Sequence, residues 1–216
     1  MRCPNTVKHQ AIVGVAEHGH AVVLVTLGAS GELLDRRRVD LTRELPTHPY
    51  HHEGSWAVGR YLNSPWARKI ALADAVALVE RVRAAAARGA RKSLEALAAA
   101  VPVPITSIAI RACPTLPPTV EERIADHHAQ TVADSVMYRE ALATAGETRG
   151  WSVHWYDRER VFGDAAAVLG GEDAHVFLHA MGRSIGPPWQ AKHKLAAAAA
   201  LALTGSRHTA SALTAR

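Results

Sequence analysis

The chain is poor in cysteine, in aromatic bulk and in long apolar runs, and each scarcity excludes something. Its two cysteines, Cys3 and Cys113, stand in neither a CxxC nor a Cys/His finger spacing. A disulfide framework and a structural zinc ribbon are therefore excluded. Two scattered thiols suit a reducing compartment. The longest apolar stretch, Leu195 to Leu203, falls far short of the roughly 20 residues a membrane span needs. Near the N-terminus, Arg2 and Lys8 precede the short run Ala11 to Ala16, which lacks the length and cleavage pattern of a signal peptide. These readings predict a cytoplasmic protein with no membrane partner. P-loop, serine-hydrolase and dinucleotide-binding glycine motifs are all missing, so those chemistries have no support.

What is present reads as one globular unit. Hydrophobic residues make up 48% and charged residues 21% of 216 residues, enough for one well-buried core and too few for two full domains. A single domain is expected over residues 1–203, with 204–216 as a flexible tail. The formal charge of +5 favours an anionic partner such as DNA or RNA. An alanine- and arginine-rich composition also raises charge without any function.

Hydrophobic periodicity places the elements. HQAIVGVAE from His9, AVVLVTL from Ala21 and LLDRRRVDL from Leu33 read as three strands joined by turns at Gly19 and Gly31, an antiparallel meander. A long connection, Thr42 to Ser64, carries Pro46, Pro49, Gly54, Gly59 and several histidines, and connections of that length tend to be functional. A helix is expected to begin at Pro65 to Arg68. Leu72 to Arg88 has helical spacing, Gly89 punctuates it, and Arg91 to Ala100 continues it until Pro102. Ile105 to Arg111 reads as a buried strand. Thr119-Val120-Glu121-Glu122 matches a capping box opening a helix to Arg149, stopped by Gly150. Trp151 to Tyr156 is a fifth strand. Short helices follow over Glu159 to Leu169 and Asp173 to Arg183, and a last helix over Trp189 to Leu203. The order β-β-β-α-β-α-β-α predicts an α/β fold with a mixed five-stranded sheet and helices on both faces.

Three stretches resemble resolvases of the RuvC type within the ribonuclease H-like superfamily. Ile12-Val13-Gly14-Val15-Ala16-Glu17-His18-Gly19 is similar to that family's first strand and turn, I-x-G-I-D-P-G. Arg139 to Leu142, with Gly150 to Tyr156, resembles its helix-glycine-strand segment. Gln190 to Ala196 resembles its final helix, D-x-x-D-A-L-A. The resemblance implies a ribonuclease H-like fold, a dimer, and a nuclease holding magnesium or manganese between converging carboxylates. The metals of such a site lie roughly 4 Å apart and activate water against a phosphodiester. The acids are missing from their places. Ala16 stands at the first strand's aspartate, Arg111 at the fourth strand's glutamate, and Gln190 and His193 at the two acids of the last helix. Methyl, guanidinium, amide and imidazole groups do not build a two-magnesium site, whereas arginine attracts phosphate.

Several residues stand out as candidates. Glu17 and His193 are the candidate catalytic groups if the chain cleaves, although strand alternation turns Glu17 to the face opposite Ala16. Arg111 ends a buried strand and needs an anion, either a protein carboxylate such as Glu17 or Asp157, or a phosphate. Lys192, Lys194 and Arg183, with Arg36 and Arg38 on the third strand, could follow a nucleic-acid backbone; a solvated basic face and edge protection are the plainer alternatives. His48, His51, His52 and Glu53 form the densest ligand-like cluster; no second cluster completes a clear tetrahedral set, although His18 and His20 in the first turn could. Asp126, His127 and His128 are expected mid-helix, with Asp134, Tyr138 and Arg139 as a surface network beyond them. The tryptophans offer stacking surfaces for unpaired bases, with Trp151 or Trp155 in the core. Three functions follow: a nucleic-acid-binding or regulatory domain without metals, a metal-dependent nuclease with unusual ligands, or a protein-interaction module.

Overall fold

The computed structural model describes residues 10–213, with side chains through Gly205. Cys3, Arg2, Lys8 and the start of the first expected strand at His9 lie outside that range, as do residues 214–216. Five strands form one sheet: β1 (Ala11–His18), β2 (Ala21–Gly28), β3 (Leu33–Asp40), β4 (Ile105–Arg111) and β5 (Ser152–Tyr156), in the order β3-β2-β1-β4-β5. β1, β2 and β3 pair antiparallel, while β4 and β5 run parallel to β1. Ala11 to Glu17 and all of β2 are buried, because helices cover both faces and a strand covered twice needs apolar residues at every position. Edge strand β3 is half-exposed, which suits its three consecutive arginines.

The long connection after β3 holds a π-helical turn, Tyr50–Gly54, running into a single helical turn, α1 (Ser55–Ala57). The helix expected from Pro65 is instead a reverse turn closed by Ala67 N–H donating to the Ser64 carbonyl at 2.9 Å. Helix α2 (Leu72–Ala100) is continuous, so Gly89 does not punctuate it. Its role is contact: a Cβ there would sit 1.9 Å from the Leu41 carbonyl oxygen.

The capping box forms as expected, with Glu122 N–H donating to Thr119 Oγ1 and Thr119 N–H to the Glu122 carboxylate. The helix it opens is split, however. α3 (Val120–Ala125) ends at Asp126, whose extended backbone (ψ 120°) and side chain cap the following α4 (His127–Thr148). Asp126 accepts from Ala129 N–H at 2.7 Å, the usual stop-and-restart signal. His127 and His128 therefore open α4 rather than lie mid-helix.

Two short helices, α5 (Val161–Val168) and α6 (Ala174–Ile185), precede α7 (Ala191–Leu213). α7 continues past the expected end at Leu203. Thr204 is buried and Gly205 packs on Val168 of α5, so the expected tail begins inside a helix.

Two cores result. Val13, Val15, Leu24, Ile108 and Ile110 face α2 and α4, while Ile12, Ala16, Val25 and Ala109 face α5, α6 and α7. α7 crosses β1 closely, and a Cβ on Gly14 would fall 1.8 Å from the Ala196 carbonyl oxygen. Among the described residues no helix is long and apolar enough to cross a membrane.

Candidate nucleic-acid interface at the carboxyl edge of the sheet

The carboxyl ends of β1, β4 and β5 meet beside the middle of α4 and the start of α7. Open parallel sheets place their ligand crevices at this edge. Glu17 is next to last in β1 and, by alternation, points away from Ala16 toward the α4 face. There its Oε1 accepts from Arg139 Nε at 2.9 Å and from Arg139 Nη2 at 2.5 Å. Both side chains are about 95% enclosed, with 5% and 6% of their surface exposed. The third arm of the guanidinium donates to the Ala112 carbonyl at 3.0 Å. Arg139 thus ties β1 to the segment leaving β4.

Lys192, in the first turn of α7, donates from Nζ to the Glu17 backbone carbonyl at 2.7 Å. Burial holds its ammonium below the ordinary lysine range; Glu17 counters this, while Arg158, Arg111 and Arg139 add to it. Three arginines therefore lie within electrostatic reach of Lys192. Tyr156 closes the floor, its hydroxyl donating to the Val15 carbonyl at 2.8 Å, and burial pushes its phenol well up.

Arg111 differs from these neighbours. It is half-buried at the end of β4, on the face shared with Ala109 and opposite Ile110. Its guanidinium has no hydrogen bond or ion pair among the described residues. It lines a cleft of about 680 Å³ with Arg139, Arg158, Cys113, Ser135 and Asp157. The expected internal partners are engaged otherwise. Glu17 is taken by Arg139, and Asp157 accepts the Glu159 N–H at 2.8 Å in an exposed turn. Burial pushes the Cys113 thiol up, against a smaller opposing effect of Arg139, so it is not a ready nucleophile.

The other candidate residues disperse. His193 is buried and acts within its own helix start: Nδ1 accepts Gln190 N–H at 3.2 Å, and its ring lies 5.8 Å from Trp189. Burial, with Arg36 adding to it, holds its imidazole below the ordinary histidine range. Glu17 and His193 bind partners on opposite faces of the sheet, α4 for one and Trp189 for the other, so they do not converge as a catalytic pair. Arg36, expected along a nucleic-acid groove, is instead structural. Its two Nη atoms donate to the carbonyls of Ile185, Gly186, Pro187 and Pro188 at 2.8–3.4 Å, tying β3 to the loop between α6 and α7. Arg38 is exposed, 3.8 Å from Asp40. Arg183 is exposed at the end of α6 and Lys194 half-buried in the first turn of α7.

The histidine loop is not a metal cage. His48 and His52 meet edge to face at 5.8 Å between centroids, and His51 and His52 lie tilted at 5.4 Å. Among the described residues no three His, Cys, Asp or Glu side chains are grouped as ligands. The reason is local: Asp134 of α4 accepts Tyr50 N–H and His51 N–H, each at 3.0 Å, and this fixes the π-helical turn so that its rings pack against one another.

Three residues given a surface role by sequence are buried: Asp134 at 4%, Tyr138 at 0% and Arg139 at 4% exposure. Asp134 and Tyr138 are one helical turn apart, both facing the histidine loop, and Gln130 lies one turn earlier. That i, i+4, i+8 spacing was the available signal. Arg139 carried no such signal, because its partner is 122 positions away.

The architecture is that of the ribonuclease H-like fold. RuvC of T. thermophilus in complex with a Holliday junction substrate is similar over 93% of this chain and 96% of its own, at 14% identity and a TM-score of 0.51. A second structure of Thermus thermophilus RuvC matches 92% of this chain and 96% of its own, at 13% identity and a TM-score of 0.48. No family model and no curated protein matches the sequence. The paired metals implied by that resemblance do not fit these residues. Ala16 offers no donor, Arg111 is a cation, Glu17 already shares its charge with a buried arginine, and Asp157 and Glu159 line the cleft among three arginines. A two-metal site needs several uncommitted oxygen ligands at one point.

Proposed function

We propose that this chain is a nucleic-acid-binding domain in which the sheet's carboxyl edge receives a backbone phosphate, not a pair of divalent metals. One observation carries the reading: Arg111 ends β4 half-buried and without a hydrogen bond or ion pair among the described residues, within reach of Lys192 and Arg158. A half-buried guanidinium that makes no hydrogen bond has its N–H groups free to hold a phosphate through two of them. Lys194 on α7, Arg183 on α6 and Arg38 on β3 lie outside that cleft and would serve as separate, further phosphate contacts. DNA or RNA is the partner class; phosphate contacts set affinity without reading sequence.

The test is titration of a fluorescent branched or duplex DNA with the full chain, with and without manganese. The expected result is binding that weakens steeply with salt and is indifferent to manganese, with the DNA left intact. Absence of binding at low salt overturns the reading. Cleavage that appears with manganese overturns it in favour of a nuclease.

A further inference from the structure

The loop between β3 and α2 carries a second arrangement that the carboxyl edge does not use. Five aromatic side chains contact one another in a closed circuit. His52 stacks on Trp56 at 16° and 6.2 Å, Trp56 meets Trp66 at 6.1 Å, and Trp66 meets Tyr61 at 6.3 Å. His51 completes the circuit, 6.3 Å from Tyr61 and 5.4 Å from His52. The outer rings face solvent. Tyr61 is 43% and Trp66 54% exposed, with the neighbouring Leu62 at 53%. Large apolar groups left wet in a patch mark a contact surface.

The patch is not a loose loop. Asp134 holds the Tyr50 and His51 amides, Ser55 Oγ donates to Gln130 Oε1 at 2.7 Å, and Arg60 reaches the Ile124 carbonyl and Gln130 at 2.9 Å each. The rings are therefore preorganised, over a π-helical turn of the kind that recurs at functional sites.

Beside the rings lies a cavity of about 530 Å³, lined by Glu53, Trp56, Arg68, Lys69 and Arg81 among others. Glu53 Oε2 and Trp56 Nε1 are buried without a hydrogen-bond partner. One is an acceptor and one a donor. Buried polar atoms are nearly always satisfied, and these two, unpartnered among the described residues, belong to side chains that line one cavity, where a small shift would present them to a ligand carrying the complementary groups. A nucleobase edge presents a donor and an acceptor side by side, its ring presents a stacking face, and its phosphate suits three cationic side chains.

We infer that this ring patch and cavity hold an unpaired nucleotide of a nucleic-acid strand, its base on Trp66 and Tyr61, its edge toward Glu53 and Trp56, and its phosphate toward Arg68, Lys69 and Arg81. The inference rests on nucleic acid being the partner proposed above, and adds that part of it is single-stranded. One helix supports both places: α4 carries Gln130 and Asp134, which hold the loop, and Arg139, which holds the carboxyl edge, about 14 Å and about 8 Å further along the helix at ~1.5 Å per residue.

The experiment uses the full chain, a single-stranded 15-mer and the duplex of the same sequence, and reads tryptophan fluorescence with anisotropy. The single strand is expected to bind more tightly than the duplex and to quench tryptophan emission. Trp66→Ala, a substitution at an exposed ring, is expected to weaken single-strand binding about tenfold and leave duplex binding unchanged. Glu53→Gln is expected to lower single-strand affinity with no loss of thermal stability. Equal affinity for both forms, unmoved by Trp66→Ala, overturns the inference while leaving the carboxyl-edge reading intact. That reading fails separately if Arg111→Ala leaves duplex binding unchanged. Quenching by guanosine monophosphate, with no strand bound by any variant, overturns the strand-binding inference in favour of a free nucleotide.

Discussion

Glu17 and Arg139 form a buried ion pair across 122 positions of sequence, with the guanidinium bridging the end of β1 to the segment after β4. The pair sits beside Ala16, so the carboxylate at this corner is neutralised by a cation of the chain itself.

Breaking this pair is expected to be costly. Arg139→Ala leaves the Glu17 carboxylate buried and alone, and Glu17→Ala does the same to the guanidinium. Removal of one partner of a buried pair costs about 3–5 kcal/mol. The double change Glu17→Leu with Arg139→Met is expected to recover much of that loss, since apolar replacement of both charges is often neutral. Thermal unfolding of the two single variants and the double variant checks this. Near-equal Tm values for the singles and wild type would show that the pair is not closed in solution.

Arg111 and Arg36 predict opposite phenotypes although both are arginines on strands. Arg111 has no hydrogen bond or ion pair among the described residues, so Arg111→Ala is expected to hold or raise Tm and to lower DNA affinity while flattening its salt dependence by about one unit of slope. Arg36 makes four hydrogen bonds to carbonyls of the loop before α7. Arg36→Ala is expected to cost about 2 kcal/mol of stability with DNA affinity unchanged. Paired melting and anisotropy measurements separate the two, and a reversal of the pattern would exchange their roles.

These arginines mark where sequence was readable and where it was not. The strands were legible because burial on both faces demands runs such as AVVLVTLG, and the α7 stripe because its alanines face β1. Arg111 was legible as an arginine at a buried strand's end. Its neighbours were not, because Arg139, Lys192 and Arg158 meet it only after three separate elements fold together. Gly89 misled for a related reason. Glycine in a helix resembles a break in the chain's own pattern, whereas its cause is the Leu41 backbone lying against it. Asp126 was read as part of one long helix because a cap and an interior aspartate look alike until backbone angles are known.

The clamp on the histidine loop is expected to be pH-dependent. Burial pushes the Asp134 carboxyl up to about 7, although the Tyr50 and His51 amides favour its charged form. Between its ordinary value of 3.8 and about 7, the folded chain holds a proton that the unfolded chain has released. Stability from this group is therefore fully present below that window and falls as pH rises through it. His48, 3.9 Å away, and His51 contribute with the opposite sign, because burial lowers both imidazoles. Comparison with Asp134→Asn isolates the aspartate. The wild type is expected to lose stability relative to the variant between pH 5 and pH 8, by on the order of a few kcal/mol. A constant difference across that range would show that the carboxyl ionises at its ordinary value.

Gly14 and Gly163 give the sharpest test of how α7 meets the sheet. At Gly14 an added methyl would lie 1.8 Å from the Ala196 carbonyl oxygen and 2.9 Å from the Ala200 nitrogen, both backbone atoms of α7 that cannot rotate away. At Gly163, in α5, nothing lies within 4 Å of the same methyl. Gly14→Ala must push α7 off β1, and with it Lys192 off the Glu17 carbonyl. Its expected cost exceeds the ~1–3 kcal/mol of ordinary overpacking, and at about 2–4 °C per kcal/mol it lowers Tm by at least roughly 6–12 °C. Gly163→Ala fills open space inside a helix and is expected to raise stability by about 0.5–1 kcal/mol. Because Lys192 depends on the same crossing, whatever fraction of Gly14→Ala chain folds is expected to bind DNA more weakly at equal folded concentration. Full affinity in that fraction would separate the phosphate site from α7 and leave Arg111 and Arg158 to form it alone.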